Sequence, residues 1–289
     1  MRFDFRKLAG IMGINRRNLE MIYPHNPRSG FPLVDDKVRT KELLCGAGVP
    51  VPATIAVVTG FLQARDTVQR LRAERSFVVK PARGRGGGGV LILDAADEGW
   101  RTPSGRAVDG EELLQHFGDI LFGVYSFGRA DDAALVEQRV QPHAFFTAIH
   151  QRGIPDIRII LFRERPVMGM LRIPTDASDG RANLHQGAIG VRVDLATGRT
   201  GVGSLRGRPV DRHPDTGAAV AGLAIPFWDQ IVSYAIAAAG AVPLKYVGVD
   251  LVIDADRGPL MLEVNARPGL QIQVINGEGL APALAEAAR

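Results

Sequence analysis

The stretch that most restricts the fold of this chain runs from Tyr246 to Gly269, YVGVDLVIDADRGPLMLEVNARPG. Val247, Val249, Leu251 and Ile253 alternate with Gly248, Asp250 and Val252. A second apolar run, Leu260 to Val264, follows the polar segment Asp254 to Gly258. Strand-forming runs separated by Asp and Gly predict a hairpin. With Asp256 and Arg257 at the centre of the turn, Asp250 lies opposite Glu263. Asn265 shares their face, because side chains on a strand alternate. Two carboxylates opposed inside an apolar hairpin repel each other, which implies a cation between them. A small set of oxygen donors suits magnesium that is also held by phosphates. The competing reading is an edge hairpin with solvated polar residues.

Composition narrows the remaining classes. Of 289 residues 46% are hydrophobic and 23% charged, enough apolar side chain for a sizeable core. The formal charge of +4 comes from scattered basic residues. That pattern argues against a nucleic-acid surface and is compatible with a phosphate-binding site. The single Cys45 fits a reducing, cytoplasmic setting and is expected to be a buried or half-buried thiol in a helix. The charged N-terminus does not resemble a signal peptide. The apolar stretch Ile231 to Val242 is too short to span a bilayer, so no membrane insertion is expected.

Along the chain, Phe3, Phe5, Leu8, Ile11 and Met12 have rough helical spacing, and Arg16 to Glu20 extends or restarts that helix. The Tyr23 to Asn26 turn reads as a surface loop. Asp35 or Asp36 caps a helix that carries Lys37 and ends at Gly46 or Gly48. A strand at Thr54 to Val58 and a helix over 60–75 follow. Next comes Phe77-Val78-Val79-Lys80-Pro81, then Gly84-Arg85-Gly86-Gly87-Gly88-Gly89, then Val90 to Leu93. These glycines formally satisfy a dinucleotide fingerprint, but that motif must open a helix. Here the loop opens a strand. Strand, glycine loop and strand make a flap whose backbone N–H groups can approach phosphate oxygens, with Lys80 at its base.

Residues 95–130 read as a variable insertion with a helix near 111–117. Ala134 to Val140 forms a strand with a polar end; its last residues, Glu137, Gln138, Arg139 and Val140, can read an adenine edge through their backbone, and an ordinary amphipathic strand is the alternative. Phe145 to His150 is expected to be a strand. Asp156 to Phe162 and Val167 to Ile173 form a hairpin that brings Arg158 and Arg172 to one site, where guanidinium forks suit phosphate. A salt bridge from Arg158 to Asp156 is the alternative. Arg181 to Ala188 is a polar loop holding Arg181, Asn183 and His185. No acidic partner accompanies His185, and no second His or Cys supports a zinc site there. Residues 194–217 have turn composition, and a helix covers 226–239.

With these elements in order, the sequence resembles the ATP-grasp carboxylate–amine ligases, and within them the α-L-glutamate ligase group that includes the ribosomal-protein-modifying glutamate ligase. The strings that carry the resemblance are DDKVRTKELL with GVPVP, FVVKPARGRGGGG, LVEQRV, DIR, GRANLHQG and GVDLVI…PLMLEVNARPGL. They span most of residues 35–270. The resemblance implies an α+β ATP-grasp fold, two α/β subdomains clasping ATP between them, with a truncated N-terminal domain. The implied boundaries are an N-terminal segment 1–34 and an ATP-grasp domain 35–289, with a lid near 76–140 and a metal-binding part near 141–289.

By resemblance, Lys37 and Lys80 match the two nucleotide-binding lysines, and Gly86, Gly87 and Gly88 match the flap. Gln138, Arg139 and Asp156 match positions around adenine and ribose. Arg181 and Asn183 match residues at the phosphate end. Arg158, Arg172 and Arg181 match phosphate-facing arginines in the catalytic role, and Asp250, Glu263 and Asn265 match the metal ligands. The implied cofactors are ATP and magnesium, with manganese as an alternative ion. The implied reaction phosphorylates a carboxylate and then joins it to an amine, such as that of L-glutamate, giving a peptide-like amide. The substrates would be a peptide or small-molecule carboxylate and an amine. A shortened N-terminus implies an acceptor site built from residues 1–34, from 95–130, or by a partner chain or second copy. Two other functions share these features: a nucleotide-binding regulatory or scaffold protein, and a small-molecule kinase. A degenerate scaffold would have lost one of the three metal ligands, and all three are present.

Overall fold

The computed structural model describes residues 10–84, 86–126 and 131–289. The chain divides into two compact units. One comprises 1–34, 42–51 and 140–289; the other comprises 35–41 and 52–139. Among the described residues, 10–34 group with the hairpin unit, and the other unit takes in 52–75 as well as 76–139.

The smaller unit is a six-stranded antiparallel sheet in the order β1-β6-β2-β3-β4-β5. Its strands are β1 (Thr54–Val58), β2 (Ser76–Pro81), β3 (Leu91–Ala95), β4 (Trp100–Arg101), β5 (Ala107–Val108) and β6 (Ala134–Gln138). Helix α1 (Lys37–Gly46) contributes its first turn, and α2 (Phe61–Arg70) and α3 (Gly110–Leu121) lie wholly within the unit. Asp36 caps α1, its Oδ1 accepting from Val38 N at 3.1 Å and Arg39 N at 3.3 Å. Asp109 caps α3 by accepting from Glu112 N at 2.8 Å. Ala64 and Val68 of α2 and Leu113, Phe117 and Ile120 of α3 share one core with Phe77, Val79, Leu93 and Trp100. The region read as a variable insertion thus completes this core: Trp100 and Val108 are each 1% exposed.

The larger unit is a seven-stranded antiparallel sheet in the order β11-β10-β9-β8-β7-β12-β13. The strands are β7 (Asp156–Phe162), β8 (Arg165–Ile173), β9 (Ile189–Val193), β10 (Thr200–Leu205), β11 (Arg208–Val210), β12 (Tyr246–Asp254) and β13 (Gly258–Asn265). Helix α4 (Trp228–Ala241) places Ile231, Ala235 and Ala238 in one core with Ile157, Ile159, Leu161, Val247, Val249 and Leu251. Helices α5 (Gln271–Asn276) and α6 (Leu280–Ala287) join Met12, Met21 and Ile22 in a second core with Ile160, Phe162, Met168, Met170 and Tyr246. The alternate residues of β7 and β12 thus enter different cores, and every residue of β12 is buried. That is the expected state of a strand covered on both faces.

Several expectations need correction. Phe145 to His150 is not a strand. Residues 144–147 form a helical turn, because His143 caps it by accepting from Phe145 N at 3.2 Å and Phe146 is buried. Residues 194–217 hold β10 and β11, which β9 pairing imposes on the glycine-rich run TGVGSL. Cys45 is exposed, since Leu44 takes the inward position on α1. The Tyr23 to Asn26 turn is docked at its end: Asn26 is 3% exposed and donates to Tyr246 O at 2.7 Å. The helix expected over Phe3 to Met12 falls largely outside the described residues, and 11–13 carry no helix.

The hairpin turn also differs. Asp254 pairs with Gly258, so three residues, 255–257, form the loop. Gly258 has φ +72°, the left-handed conformation such loops require. Pairs from this end, such as Leu251 with Met261, would place Asp250 opposite Leu262. A bulge at Leu262 restores Asp250 opposite Glu263 and lets Met261 and Val264 both enter the α4 core. A one-residue slip would turn Glu263 to the other face.

Asp254 locks the loop by accepting from Gln141 N at 2.9 Å, from Asp256 N and Arg257 N, and from the Arg257 guanidinium. Burial alone would raise its pKa from 3.8; these donors outweigh burial and hold it at about 2. Its stabilisation is complete above the unfolded value and fades as pH falls towards 2. We expect Asp254→Ala to cost about 1–3 kcal/mol at neutral pH. In urea titrations the gap to wild type should narrow as pH falls from 3.8 towards 2.

Candidate active site

In the larger unit one face of the sheet changes character along its strands. Ile160, Phe162, Met168, Met170 and Tyr246 line the apolar end. On the same face, Asp156 and Arg158 of β7, Arg172 of β8, Asp250 of β12, and Glu263 and Asn265 of β13 form the polar end, as their pairing dictates. Asp250 is the register partner of both Arg158 and Glu263, and Asp156 is the partner of Arg172.

Arg158 holds Asp250 with a bidentate fork, Nε to Oδ1 at 2.7 Å and Nη2 to Oδ2 at 2.6 Å. Arg172 pairs through two nitrogens with Asp156, and its Nη2 reaches Asp250 Oδ2 at 3.1 Å. The alternative salt bridge from Arg158 to Asp156 is not formed, since Arg172 occupies Asp156. Asn265 Nδ2 donates to Asp250 Oδ2 at 3.2 Å. Asp250 is 4% exposed and Asp156 9%. Burial would raise the Asp250 carboxyl, but the two guanidiniums outweigh it and hold it at about 2. Burial pushes Asp156 up to about 6 against the pull of Arg172, and the charge on Asp250 adds to that rise. Burial disfavours the charge on both arginines, yet the carboxylates win and raise them.

The charge facing Asp250 is therefore already balanced, and opposed carboxylates do not by themselves demand a metal. The donor set still fits magnesium. Asp250 Oδ2 receives three hydrogen bonds, whereas Oδ1 receives one, from Arg158. A carboxylate oxygen can accept more than one partner. Glu263 sits opposite, and the Asn265 amide, with its nitrogen turned to Asp250, leaves its carbonyl oxygen for another partner. Three oxygen donors on adjacent strands are the chemistry of a hard cation.

The chain returns over this end. A Cβ on Gly248 would lie 2.6 Å from Pro268 Cβ, so only glycine fits beneath the Pro268-Gly269 turn. Arg17, 8% exposed, donates to Pro268 O at 3.0 Å. Arg181 is exposed on the loop after β8, and Asn183 caps a short turn by accepting from His185 N at 3.0 Å. His185 is exposed, with its Nδ1 at 3.5 Å from Gln271 Nε2. Val140 packs with Val252 and Leu260.

In the smaller unit Lys80 and Glu137 meet because β2 and β6 pair Val78 with Glu137, and Lys80 shares the face of Val78. Glu137, 3% exposed, accepts from Lys80 on one oxygen and from Lys41 on the other. Lys41 also donates to Pro52 O at 2.6 Å. The sequence reading missed Lys41. Its signal was present, since it lies one helical turn after Lys37 and so shares that face. Lys37 donates to Gly84 O at 2.6 Å, at the base of the glycine loop. Gly86 and Gly87, with φ +64° and +80°, are exposed at its tip, as is Gly88. Arg85 lies outside the described residues. Gln138 is exposed, and Arg139 pairs with Asp94.

A lysine-based glycine flap on one antiparallel sheet, and an Asp/Glu/Asn triad on another, define an ATP-grasp protein. Residues 16–289 match the model of the sugar-transfer associated ATP-grasp family, and the chain belongs to that family. The match takes in residues 16–34, which the resemblance had left outside the domain. A probable alpha-L-glutamate ligase of Pseudoalteromonas translucida is 25% identical over 273 residues, covering 92% of this chain and 67% of its own. One from Legionella pneumophila is 26% identical over 241 residues, covering 82% and 56%. The chain thus spans between about half and two thirds of these relatives. Among solved structures, a biotin carboxylase–β,γ-ATP complex from Campylobacter jejuni superposes with a TM-score of 0.56 at 16% identity, covering 90% of this chain and 47% of that one. That likeness concerns the fold.

Removing one partner from a buried ion pair costs far more than removing one from an exposed pair. Arg172→Met should lower stability by about 3–5 kcal/mol in chemical denaturation. Arg16→Ala, which breaks the exposed pair with Glu20, should change it by less than about 1 kcal/mol.

Proposed function

We propose that this protein is an ATP- and magnesium-dependent ligase that joins a carboxylate to an amine. The observation that carries the proposal is the triad of Asp250, Glu263 and Asn265 on paired strands beside two half-buried arginines. In this reading Asp250, Glu263 and Asn265 hold magnesium, which screens charge on the transferring phosphoryl group. Arg158, Arg172 and Arg181 stabilise negative charge developing around that group. Lys37, Lys80 and the backbone of Gly86, Gly87 and Gly88 hold the nucleotide phosphates. Glu137 to Val140 face the adenine, and Asp156 and Asn183 complete the nucleotide contacts.

The γ-phosphoryl group passes to a carboxylate oxygen, giving an acyl phosphate and ADP. The amine nitrogen then attacks the acyl carbon, phosphate leaves, and the nitrogen loses a proton. No protein nucleophile is required, because orientation and electrostatics supply the acceleration. The relatives named as glutamate ligases make L-glutamate the first amine to test. Because the family is described as sugar-transfer associated, sugar acids are tested beside peptides as carboxylates.

The test is a mass-spectrometric screen of acid and amine pairs with ATP and magnesium, read as amide, ADP and phosphate. A stable phosphorylated product without amide would convert the reading to a kinase. Intact nucleotide binding with no product across the panel would sink the ligase. Glu263→Gln should abolish magnesium-dependent ADP release while leaving thermal unfolding near wild type. Lys80→Ala removes a charge-assisted contact of about 1.5–3 kcal/mol, so ATP should bind roughly 10- to 100-fold more weakly by calorimetry.

A further inference from the structure

Away from the magnesium triad, the larger unit gathers two imidazoles and two carboxylates from three loops. His150 follows the helical turn 144–147, Asp176 follows β8, and His213 and Asp215 follow β11. These loops are tied together independently of the imidazoles. Thr216 Oγ1 donates to Ile149 O at 2.7 Å, and Asp176 N donates to Asp215 Oδ2 at 2.8 Å.

The two rings stack at 4.5 Å between centroids, 22° from parallel. Ligand atoms from His150, His213 and Asp215 all lie within 4.8 Å of one another. His213, 1% exposed, places Nε2 at 2.8 Å from Pro174 O. That carbonyl can only accept, so the proton sits on Nε2 and Nδ1 presents a lone pair. A ring N–H donated to a backbone carbonyl is the arrangement that orients a metal-binding histidine. Nδ1 accepts only a long contact, 3.3 Å, from Asp215 N. His150 is 6% exposed, and its buried Nε2 has no hydrogen-bond partner among the described residues. A buried ring nitrogen without a partner is uncommon and unfavourable. The nearest carboxylate oxygen is Asp176 Oδ1, 3.8 Å away, which Arg152 also approaches at 3.3 Å.

We propose that His150, His213 and Asp215 form a site for one borderline divalent cation of the zinc class, distinct from the magnesium triad. Two imidazoles and a carboxylate are a donor set for zinc and not for magnesium. Asp176 or a water fills the fourth position, since Asp215 lies at the solvent side of the cluster. The His150 ring must turn about its Cβ–Cγ bond to bring its lone pair to that of His213, whose ring Pro174 O holds in place. The ligated form therefore differs from the present one by a side-chain rotation. Burial, with His213 beside it, lowers the pKa of His150 from its ordinary value. The cation would join the loop of His150 to the loop of His213 and Asp215, which Pro174 O and Asp176 N tie to the β8–β9 connection that bears Arg181 and Asn183. Its role is to hold that connection in place, not to take part in phosphoryl transfer.

The experiment strips the full chain with a chelator, restores saturating magnesium, and titrates Zn²⁺ by calorimetry and Co²⁺ by visible absorption. One equivalent per chain is expected, with tetrahedral cobalt bands and a rise in melting temperature. His150→Gln and Asp215→Asn should each weaken zinc binding on the order of tenfold or more. Glu263→Gln should leave it unchanged, which separates this site from the triad and makes the result independent of the ligase reading. Should a variant misfold, ring-nitrogen NMR of the wild type decides. Zinc should shift the resonances of His150 and His213 and spare His25, His116, His143 and His185. Substoichiometric binding, binding that survives both variants, or shifts confined to the other four histidines would overturn the proposal.

Discussion

The four-residue ion-pair network of Asp156, Arg158, Arg172 and Asp250 is the constraint on which the larger unit depends. It spans three adjacent strands, and each link is a register consequence: β7 with β12 aligns Arg158 to Asp250, and β7 with β8 aligns Asp156 to Arg172. Four charges in a sheet covered on both faces are tolerable only as a set. Any one-residue slip would drive them into the α4 core, among Ile157, Leu171 and Leu251. The network thus fixes strand order and register while holding Asp250 ionised, and it places a cationic pair next to oxygen donors.

The two residue clusters, one in each unit, carry charge of opposite sign. Among the residues of the larger unit's cluster, the two arginines cancel the two aspartates, and Glu263 leaves one negative charge. In the smaller unit Lys41 and Lys80 share one buried acid, Glu137, and Lys37 donates to Gly84 O. A metal cation suits the first set and a polyphosphate suits the second. Glu137 orients both Lys41 and Lys80, one on each carboxylate oxygen.

Much of this was legible because it is local. Alternation located β7, β8, β12 and the flap strands, and the pairing of Asp250 with Glu263 was correct. It was correct through two compensating departures, a turn centred half a residue earlier and a bulge at Leu262. Bulges carry little sequence signal, whereas their effect on which face a side chain takes is total. What stayed hidden is non-local. TGVGSL is a strand only because β9 lies beside it, and the partner of Arg158 is 92 residues away. No spacing rule joins His150 to His213, which meet through loops that close independently.

The N-terminal segment is tied to the same end of the sheet. Asn26 accepts from Lys245 N and Tyr246 N and donates to Tyr246 O and Ala266 O, gripping both ends of the hairpin. Arg17 reaches Pro268 O from the same segment, and Gly269 lies beside Arg158. Residues 14–26 are therefore coupled to the carboxylate end of the sheet through the NARPG turn, by buried hydrogen bonds and not by apolar contact alone. Polar bonds of this kind specify one docking geometry, where an apolar face would tolerate several. A segment held that firmly beside Asp250 and Arg158 is positioned to shape what approaches them. The family match takes in Arg17 and Asn26, so the residues that make this coupling lie within the matched span.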